Sequence, residues 1–592
     1  MKRFYLLLCT LFISQFNFAQ QGVATTTMNE FTFPMTSTGD LFHTNDQSFA
    51  GLSWSEMAIK TVFGGNLWIG GTTSDQQLRL AGELYSFPNF TDFFCGPLDM
   101  NGQSNNTEEI NAYYNFVFFA NQADIDTHIA YFDALENGTE DVDFPNGYTI
   151  PQWMFQWPAH LNPDLNILIS PAPYRDENGD GNYDPEDGDY PMICGDKCLY
   201  MIFNDNGGVH TQSSGQPIGA EFHLMIYGFE DSNNPDLENT IFAHYEILNK
   251  GTQTLTDTYI GIWADYDLGN PQDDYLLTNV KRSAISVYNA DATDENTAFG
   301  FGFGNDLGVF STMILGGPFM DDDGEDNSLP DNTFSSETES YGNAALGFED
   351  GIIDNERLGL AKSMKLFGQN SPITSLPVNA TDYYNFLRGN WKNGQPLTHG
   401  NNGTGQGEIP NTNYYAPGIY DPLNTATGLE DQFEWTEEIG NNLPTDFSAM
   451  ISTGPFTFQP SATHYLDIAF VLATESQDPD LTVLELMDER LKNIRLFFNE
   501  NTCFENETIL STQNLEKDII NDISISPNPA TTKALITSIE KIQSLQVFSI
   551  TGTCIFKLDN LNASQFELDV TSFAPGLYLI KVNNETARLV IR

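Results

Sequence analysis

Two periodicities run along this chain. Between residues 220 and 263, apolar, aromatic and β-branched residues crowd into short runs separated by Asn, Gly and Lys. Glu221-Phe222-His223-Leu224-Met225-Ile226-Tyr227 and Thr240 to Leu248 predict strands, and Asn249-Lys250-Gly251 turns the chain into a third over Thr258–Trp263. Thr61 to Gly71 predicts another strand with glycine turns. Later the spacing changes. Leu484, Met487, Leu491, Ile494 and Phe498 recur every three or four residues, which predicts an amphipathic helix. Asp480 is its expected N-cap, and Asp488, Glu489, Lys492 and Arg495 are its expected surface charges. No repeat of 20–50 residues is visible, which disfavours propellers and solenoids. The expected fold class is mainly β: a large β-sandwich-type body with long loops and one late amphipathic helix, then a small Ig-like β-sandwich at the C-terminus.

The two ends have their own character. Lys2 and Arg3 precede an apolar run from Phe4 to Ile13, and Asn17-Phe18-Ala19 places a small residue before Gln20. This pattern predicts a signal peptide over residues 1–19. The run is too short for a membrane anchor, which needs about 20 apolar residues, and no later segment is long enough either. At the other end, residues 523–592 carry six Lys/Arg and five Asp/Glu, a net charge of +1. The whole 592-residue chain carries 24 Lys+Arg against 81 Asp+Glu, a net of −57, so the rest stands at −58. Such a step in charge marks a domain boundary. The expected division is a body over 20–504, a linker over 505–522 and a tail domain over 523–592. So acidic a body argues against nucleic acid and anionic membrane surfaces as partners, because both require basic patches.

The tail carries a family resemblance. Ser526-Pro527-Asn528-Pro529-Ala530, the turn Ser549-Ile550-Thr551-Gly552, Ala574-Pro575-Gly576-Leu577-Tyr578 and the terminal Arg588-Leu589-Val590-Ile591-Arg592 stand in the order found in type A C-terminal sorting domains. Those domains belong to cargo of the type IX secretion system of Bacteroidetes. The resemblance implies export through the outer membrane, with the type IX machinery as partner of residues 523–592. It also implies a secreted location, extracellular or on the outer-membrane surface. The body resembles a group of large secreted proteins of the same phylum that have no assigned activity. Leu67-Trp68-Ile69-Gly70-Gly71, Gly188-Asp189-Tyr190-Pro191, Asp265-Tyr266-Asp267-Leu268-Gly269, Asp382-Tyr383-Tyr384-Asn385 with Arg388-Gly389, and Ser452-Thr453-Gly454-Pro455-Phe456 carry that likeness.

The strongest chemical motif is Asp176 to Asp187, which follows D-x-[DN]-x-[DN]-G. Asp176, Asn178 and Asp180 place oxygens at positions one, three and five. Gly181 takes the sharp turn at six, Asn182 offers a carbonyl at seven, Asp184 sits at nine and Asp187 closes at twelve. A hard cation wants six to eight such oxygens, so a structural calcium is the expected cofactor. Pro171, Pro173 and Pro191 flank the loop, so the expectation is an isolated loop between strands, not an EF-hand with its helices. Asp at twelve resembles the loops of dockerins and other extracellular calcium repeats. Two looser clusters, one of Asp265, Asp267, Asp273 and Asp274 and one of Asp321, Asp322, Asp323, Glu325 and Asp326, read as calcium ligands or as solvated loops.

Catalytic signatures are missing: the chain has no H-E-x-x-H, G-x-S-x-G or P-loop. His210, His223 and His244 are candidates for a shared metal or for ordinary packing. Removing the signal peptide leaves five cysteines, of which Cys194 and Cys198 are the expected intrachain pair in an oxidising compartment. The seven tryptophans separate two functional readings. An adhesive or structural protein buries them, whereas a carbohydrate-active enzyme or carbohydrate-binding protein sets them beside paired carboxylates in a cleft. The first is the expected function, with a polysaccharide or cell-surface ligand as a candidate partner.

Overall fold

The computed structural model describes residues 22–501 and 523–591, apart from 45–50, 55–57, 86–90, 105–111, 163–166, 168–169, 231–232, 298–299, 329–345, 406–408, 422–426, 429–433, 479, 527–531, 550–553, 572, 574–575 and 584. The expected signal peptide at 1–19 and the expected linker at 505–522 lie outside the described residues. Strands take up 39% of the chain and helices 15%, so the protein is mainly β. Two compact units divide it, Met1–Glu507 and Thr508–Arg592.

Two antiparallel sheets build the first unit. Among the described residues one has eight strands, in the order Val23–Met28, Phe31–Thr36, Leu52–Trp54, Ile59–Thr73, Leu255–Tyr266, Phe447–Phe458 and Lys362–Leu366, with Leu78–Gly82 also paired to Ile59–Thr73. The other has nine and runs Asp274–Asn279, Ala284–Asn289, Gly308–Gly316, Thr463–Thr474, Thr240–Asn249, Ala220–Gly228, Lys197–Asn204 and Phe94–Cys95, with Phe118–Asn121 also on Lys197–Asn204. One core joins their facing sides, through residues such as Ile69, Trp263 and Ile451 from the first sheet and Phe222, Tyr245 and Phe470 from the second. Every residue of Ala220–Gly228 is buried. This strand is covered on both faces, which explains the continuous apolar run Leu224-Met225-Ile226-Tyr227.

The second covering is the late helix, Val483–Glu500. Met487, Leu491, Ile494 and Phe498 pack with Met225, Phe242, Met313 and Val471 in a second core behind the nine-stranded sheet. Thr482, not Asp480, is its N-cap, in a capping box with Glu485. Asp480 lies before the cap, where its side chain has no first-turn N–H to accept. Arg495 is not a surface charge either. It is buried and donates to the carbonyls of Leu315, Ile314 and Arg282. Arg282 in turn pairs with Asp488 at 3.0 Å.

The glycines of Ile59–Thr73 do not turn the chain. They lie inside one fifteen-residue strand. A Cβ at Gly65 would sit 2.9 Å from the Trp263 carbonyl, and one at Gly71 2.5 Å from Thr258 Oγ1. Close packing by the neighbouring strand selects glycine here.

The C-terminal unit is a five-stranded antiparallel sheet of Ile523–Ser526, Lys533–Ser549, Cys554–Asp569, Gly576–Val582 and Glu585–Ile591. Lys533–Ser549 pairs with Ile523–Ser526 near its start and with Gly576–Val582 near its end, and its register with Cys554–Asp569 shifts between Thr537 and Ile542. Such irregularities bend a strand and let one sheet curl over its own core. That core holds Ala534, Ile536, Leu545, Val547, Leu568, Ile580 and Leu589.

Candidate functional site

The acidic loop hangs from a short β-ladder, in which Tyr174 pairs with Pro191 and Arg175 with Tyr190. Within the loop Asp176 acts as a hub. Its Oδ1 accepts from the N–H groups of Gly179 and Asp180 at 2.7 and 3.2 Å, and its Oδ2 from that of Gly181 at 2.8 Å. Asn178 Oδ1 accepts from Asp180 N–H and Asp180 Oδ1 from Asn182 N–H, at 2.9 and 2.8 Å. Gly179 and Gly181 take φ of 73° and 81°, the left-handed region that glycine enters without strain. Asp184 caps the turn Pro185–Asp187, and Asn178 Nδ2 donates to Asp187 Oδ2 at 3.4 Å.

Three buried groups anchor the loop. Tyr183 donates its hydroxyl to the Met154 carbonyl at 2.7 Å, and Pro185 is buried as well. Asp189, fully buried, accepts from Glu177 N–H on one oxygen and Asp184 N–H on the other, both at 2.9 Å. Burial pushes its carboxyl above the usual carboxylate range. Sequence reasoning missed Asp189 as a site residue because it lies beyond the twelve-residue motif.

The donor set suits a hard cation: Asp176, Asn178, Asp180, Asn182, Asp184 and Asp187 are all oxygen-bearing, and the turn at position six is already made. Among the described residues, no three His, Cys, Asp or Glu side chains converge as a metal-binding group. The six side chains therefore share one loop but are not gathered on one point.

The looser acidic clusters resolve into hydrogen-bonded networks. Asp265 accepts from the Tyr85 hydroxyl and from Ser448 Oγ. Burial, then Asp267, raises Asp265 to about 7; burial, then Asp446, raises Asp267 to about 6. Asp274 is fully buried and accepts from Leu268 N–H at 3.2 Å, while Asp273 accepts from Asn270 Nδ2 at 2.6 Å. In the second cluster, Asp321 binds the backbone and hydroxyl of Thr457, Asp323 the N–H of Glu325, and Asp326 that of Gly351.

The three histidines do not meet. His210 is buried against the carbonyls of Leu80 and Asp205. With Ser213 and Asp92 it makes a Ser/His/Asp grouping, but all three are at most 2% exposed, out of reach of any substrate. His223 lies between Glu221 and Glu246, at 2.9 and 3.1 Å, and Lys250 reaches Glu221 at 2.7 Å. Burial disfavours its charge, yet the two carboxylates outweigh burial and raise it to about 9. Glu221, opposed by burial but held by Lys250 and His223, falls to about 2. His244 pairs with Asp467, which also receives Arg357 at 2.8 Å. The nearest-neighbour register of Ala220–Gly228 and Thr240–Asn249 sets His223 against Glu246, a pairing invisible without the sheet.

Trp68, Trp157, Trp263, Trp391 and Trp435 are all fully buried, and Trp68 stacks on Trp263 at 6.1 Å. Trp54 and Trp153 are partly buried, with their indole N–H groups donating to Asn239 and Asp124. The cysteine expectation needs correcting. Cys198 is a free, fully buried thiol on the strand Lys197–Asn204, whereas Cys194 is disulfide-bonded to another cysteine. Cys198 is held in the strand against Tyr227 and Ala120, its register partners, and is unavailable to its neighbour.

Residues 524–592 match the secretion system C-terminal sorting domain. The chain ends in a sorting domain. That tail marks the protein for export, and among the described residues no helix is long and apolar enough to cross a membrane. No curated protein matches the chain. Two solved structures share remote likeness. One is a polysaccharide lyase, 8% identical, with a TM-score of 0.16 over 63% of this chain and 34% of the lyase. The other is the adhesin domain of Epf from Streptococcus pyogenes, 7% identical, with a TM-score of 0.09 over 56% of this chain and 82% of the adhesin. The chain spans about a third of the lyase's length. Scores this low carry no argument about the body.

Proposed function

We propose that this is a type IX secretion cargo of a Bacteroidetes cell, in which a signal peptide at 1–19 and the tail at 523–592 deliver the body at 20–504 to the cell surface or medium. There the body acts as an adhesive or structural protein, stabilised by calcium held through Asp176, Asn178, Asp180, Asn182, Asp184 and Asp187. The observation that carries the export part is the sorting domain at 524–592. The tryptophans support the non-enzymatic part: five are sealed in cores and so are unable to stack on sugar rings. The calcium part rests on the loop's oxygen donors and on its left-handed glycine at position six.

A carbohydrate-active reading has one observation in its favour. Asp265 and Asp267 are raised towards neutrality beside the Tyr85 hydroxyl, as a proton donor needs. Purified exported protein separates the two. Incubated with acidic and neutral polysaccharides it should release no new chain ends, while a strain lacking the body should attach less to surfaces. Chain cleavage abolished by Asp265→Asn would instead establish the enzyme.

A further inference from the structure

A polar cavity of about 190 Å³ opens where the loop after Leu98 meets the strand Leu78–Gly82 and the turn at Gly251. Among the described residues Arg79 is the one charged side chain in its lining, in a chain whose net charge is −57. No carboxylate among the described residues pairs with it. Its hydrogen bond runs from Nη1 to the Pro217 carbonyl at 3.3 Å, and its Nε is buried with no acceptor. A guanidinium left this incompletely satisfied is poised for a planar, bidentate acceptor. Around it stand the amides of Asn101, Gln103, Asn206 and Gln253. Amides both donate and accept, which is what vicinal hydroxyls require.

The walls also exclude alternatives. Among the described residues no Asp, Glu, His or Cys lines the cavity, so none supplies it with a titrating acid or base. Among the described residues no aromatic side chain lines it, so none offers a stacking surface. The N–H groups of Gly102, Gly219 and Gly251 are spent on Asp99 O, Asp205 Oδ1 and Asn249 Oδ1. They form no backbone cradle of the kind that holds phosphate. These glycines shape the walls instead: a Cβ at Gly102 would sit 2.2 Å from the Lys250 carbonyl, and one at Gly251 2.4 Å from that of Ile218. At about 190 Å³ the cavity exceeds the roughly 150 Å³ of one that takes a benzene ring, which leaves room for one sugar ring.

We infer that this cavity binds the carboxylate-bearing ring of an acidic saccharide, with Arg79 on the carboxylate and the amides on the hydroxyls. The inference deepens the adhesive reading above by naming a ligand class, and it rests on that reading. Saccharide binding and surface attachment are measured separately, so either can fail alone.

The test is a saturation-transfer NMR titration of the exported chain with glucuronate, glucose and inorganic phosphate. Glucuronate should bind in the millimolar range and at least about tenfold more tightly than glucose or phosphate. Arg79→Gln should remove that preference, and Gln253→Ala, at an exposed position, should weaken both sugars together. No glucuronate binding, equal binding of glucose or phosphate, or an Arg79→Gln protein that keeps the preference would overturn the inference. Should Arg79→Gln fail to fold, the wild-type ranking of the three probes and the Gln253→Ala result decide.

Discussion

The buried cluster of Glu221, His223, Glu246 and Lys250 predicts how the body responds to alkaline pH. His223 titrates at about 9 in the folded chain against an ordinary value of 6.5. The folded state therefore binds a proton that the unfolded chain releases earlier. Its contribution is whole below pH 6.5 and is lost as pH rises through 9, amounting to about 3 kcal/mol. Glu221 has the opposite sign: from about 2 in the fold against 4.5, its contribution is present above 4.5 and disappears only as pH falls through 2. Asp265 and Asp267 also lower stability with rising pH, but their windows close near 7 and 6. Burial also holds Glu83 and Asp274 well above the usual carboxylate range, with the same sign, so His223 carries the part of the slope between pH 7 and 9 that its removal abolishes. All seven tryptophans precede residue 436 and the tail has none, so indole fluorescence in guanidinium reports the body alone. The stability it reads should fall by up to about 1.4 kcal/mol per pH unit across that window. His223→Gln should cost about 3–5 kcal/mol at pH 7, because Glu246 is left without its partner, and should flatten the slope. A wild-type profile level from pH 7 to 9, or a His223→Gln profile as steep as wild type, would refute the reasoning.

Chelation should lower the melting temperature of the body and calcium should restore it, by an amount approaching about 2.7 kcal/mol at a hundredfold excess over Kd. Asp176→Ala with Asp180→Ala should abolish that response, and a calorimetric scan indifferent to chelator and millimolar calcium counts against a bound ion. Peptide mapping of exported protein without reductant should find Cys194 in a disulfide and Cys198 alkylated only after unfolding; a Cys194–Cys198 crosslink contradicts the fold. Arg490 is 2% exposed and holds Asp236 at 2.9 Å. Arg490→Ala should cost about 3–5 kcal/mol. It should also speed hydrogen exchange in Val483–Glu500, and unchanged exchange there would show that the helix docks through its apolar face alone.

Local signals in the sequence were enough for the strands and the late helix. The runs at Glu221–Tyr227 and Thr240–Leu248 fall within one residue or two of Ala220–Gly228 and Thr240–Asn249. The helical stripe from Met487 to Phe498 faces the second core as its spacing requires. Less legible was anything set by the partner strand. Nothing local says that His223 will face Glu246, or that Asp205 will bind three N–H groups thirteen to fifteen residues on. The glycines of Ile59–Thr73 suggest turns until Trp263 and Thr258 are seen across the ladder. Likewise the acidic motif yields its six oxygen donors in order, but Asp189, which binds the N–H groups of Glu177 and Asp184, lies just past it, next to the ladder that closes the loop. Arg79 carries no motif at all, since its cavity forms only where five separate stretches of the chain meet.

Export directed by the tail is the central claim, and fractionation of cells expressing the chain with and without residues 523–592 tests it most directly. The intact chain should be found outside the outer membrane. The truncated chain should be equally abundant and folded, by its indole fluorescence, but retained in the periplasm. Truncated protein outside the cell at the level of the intact chain would contradict the account.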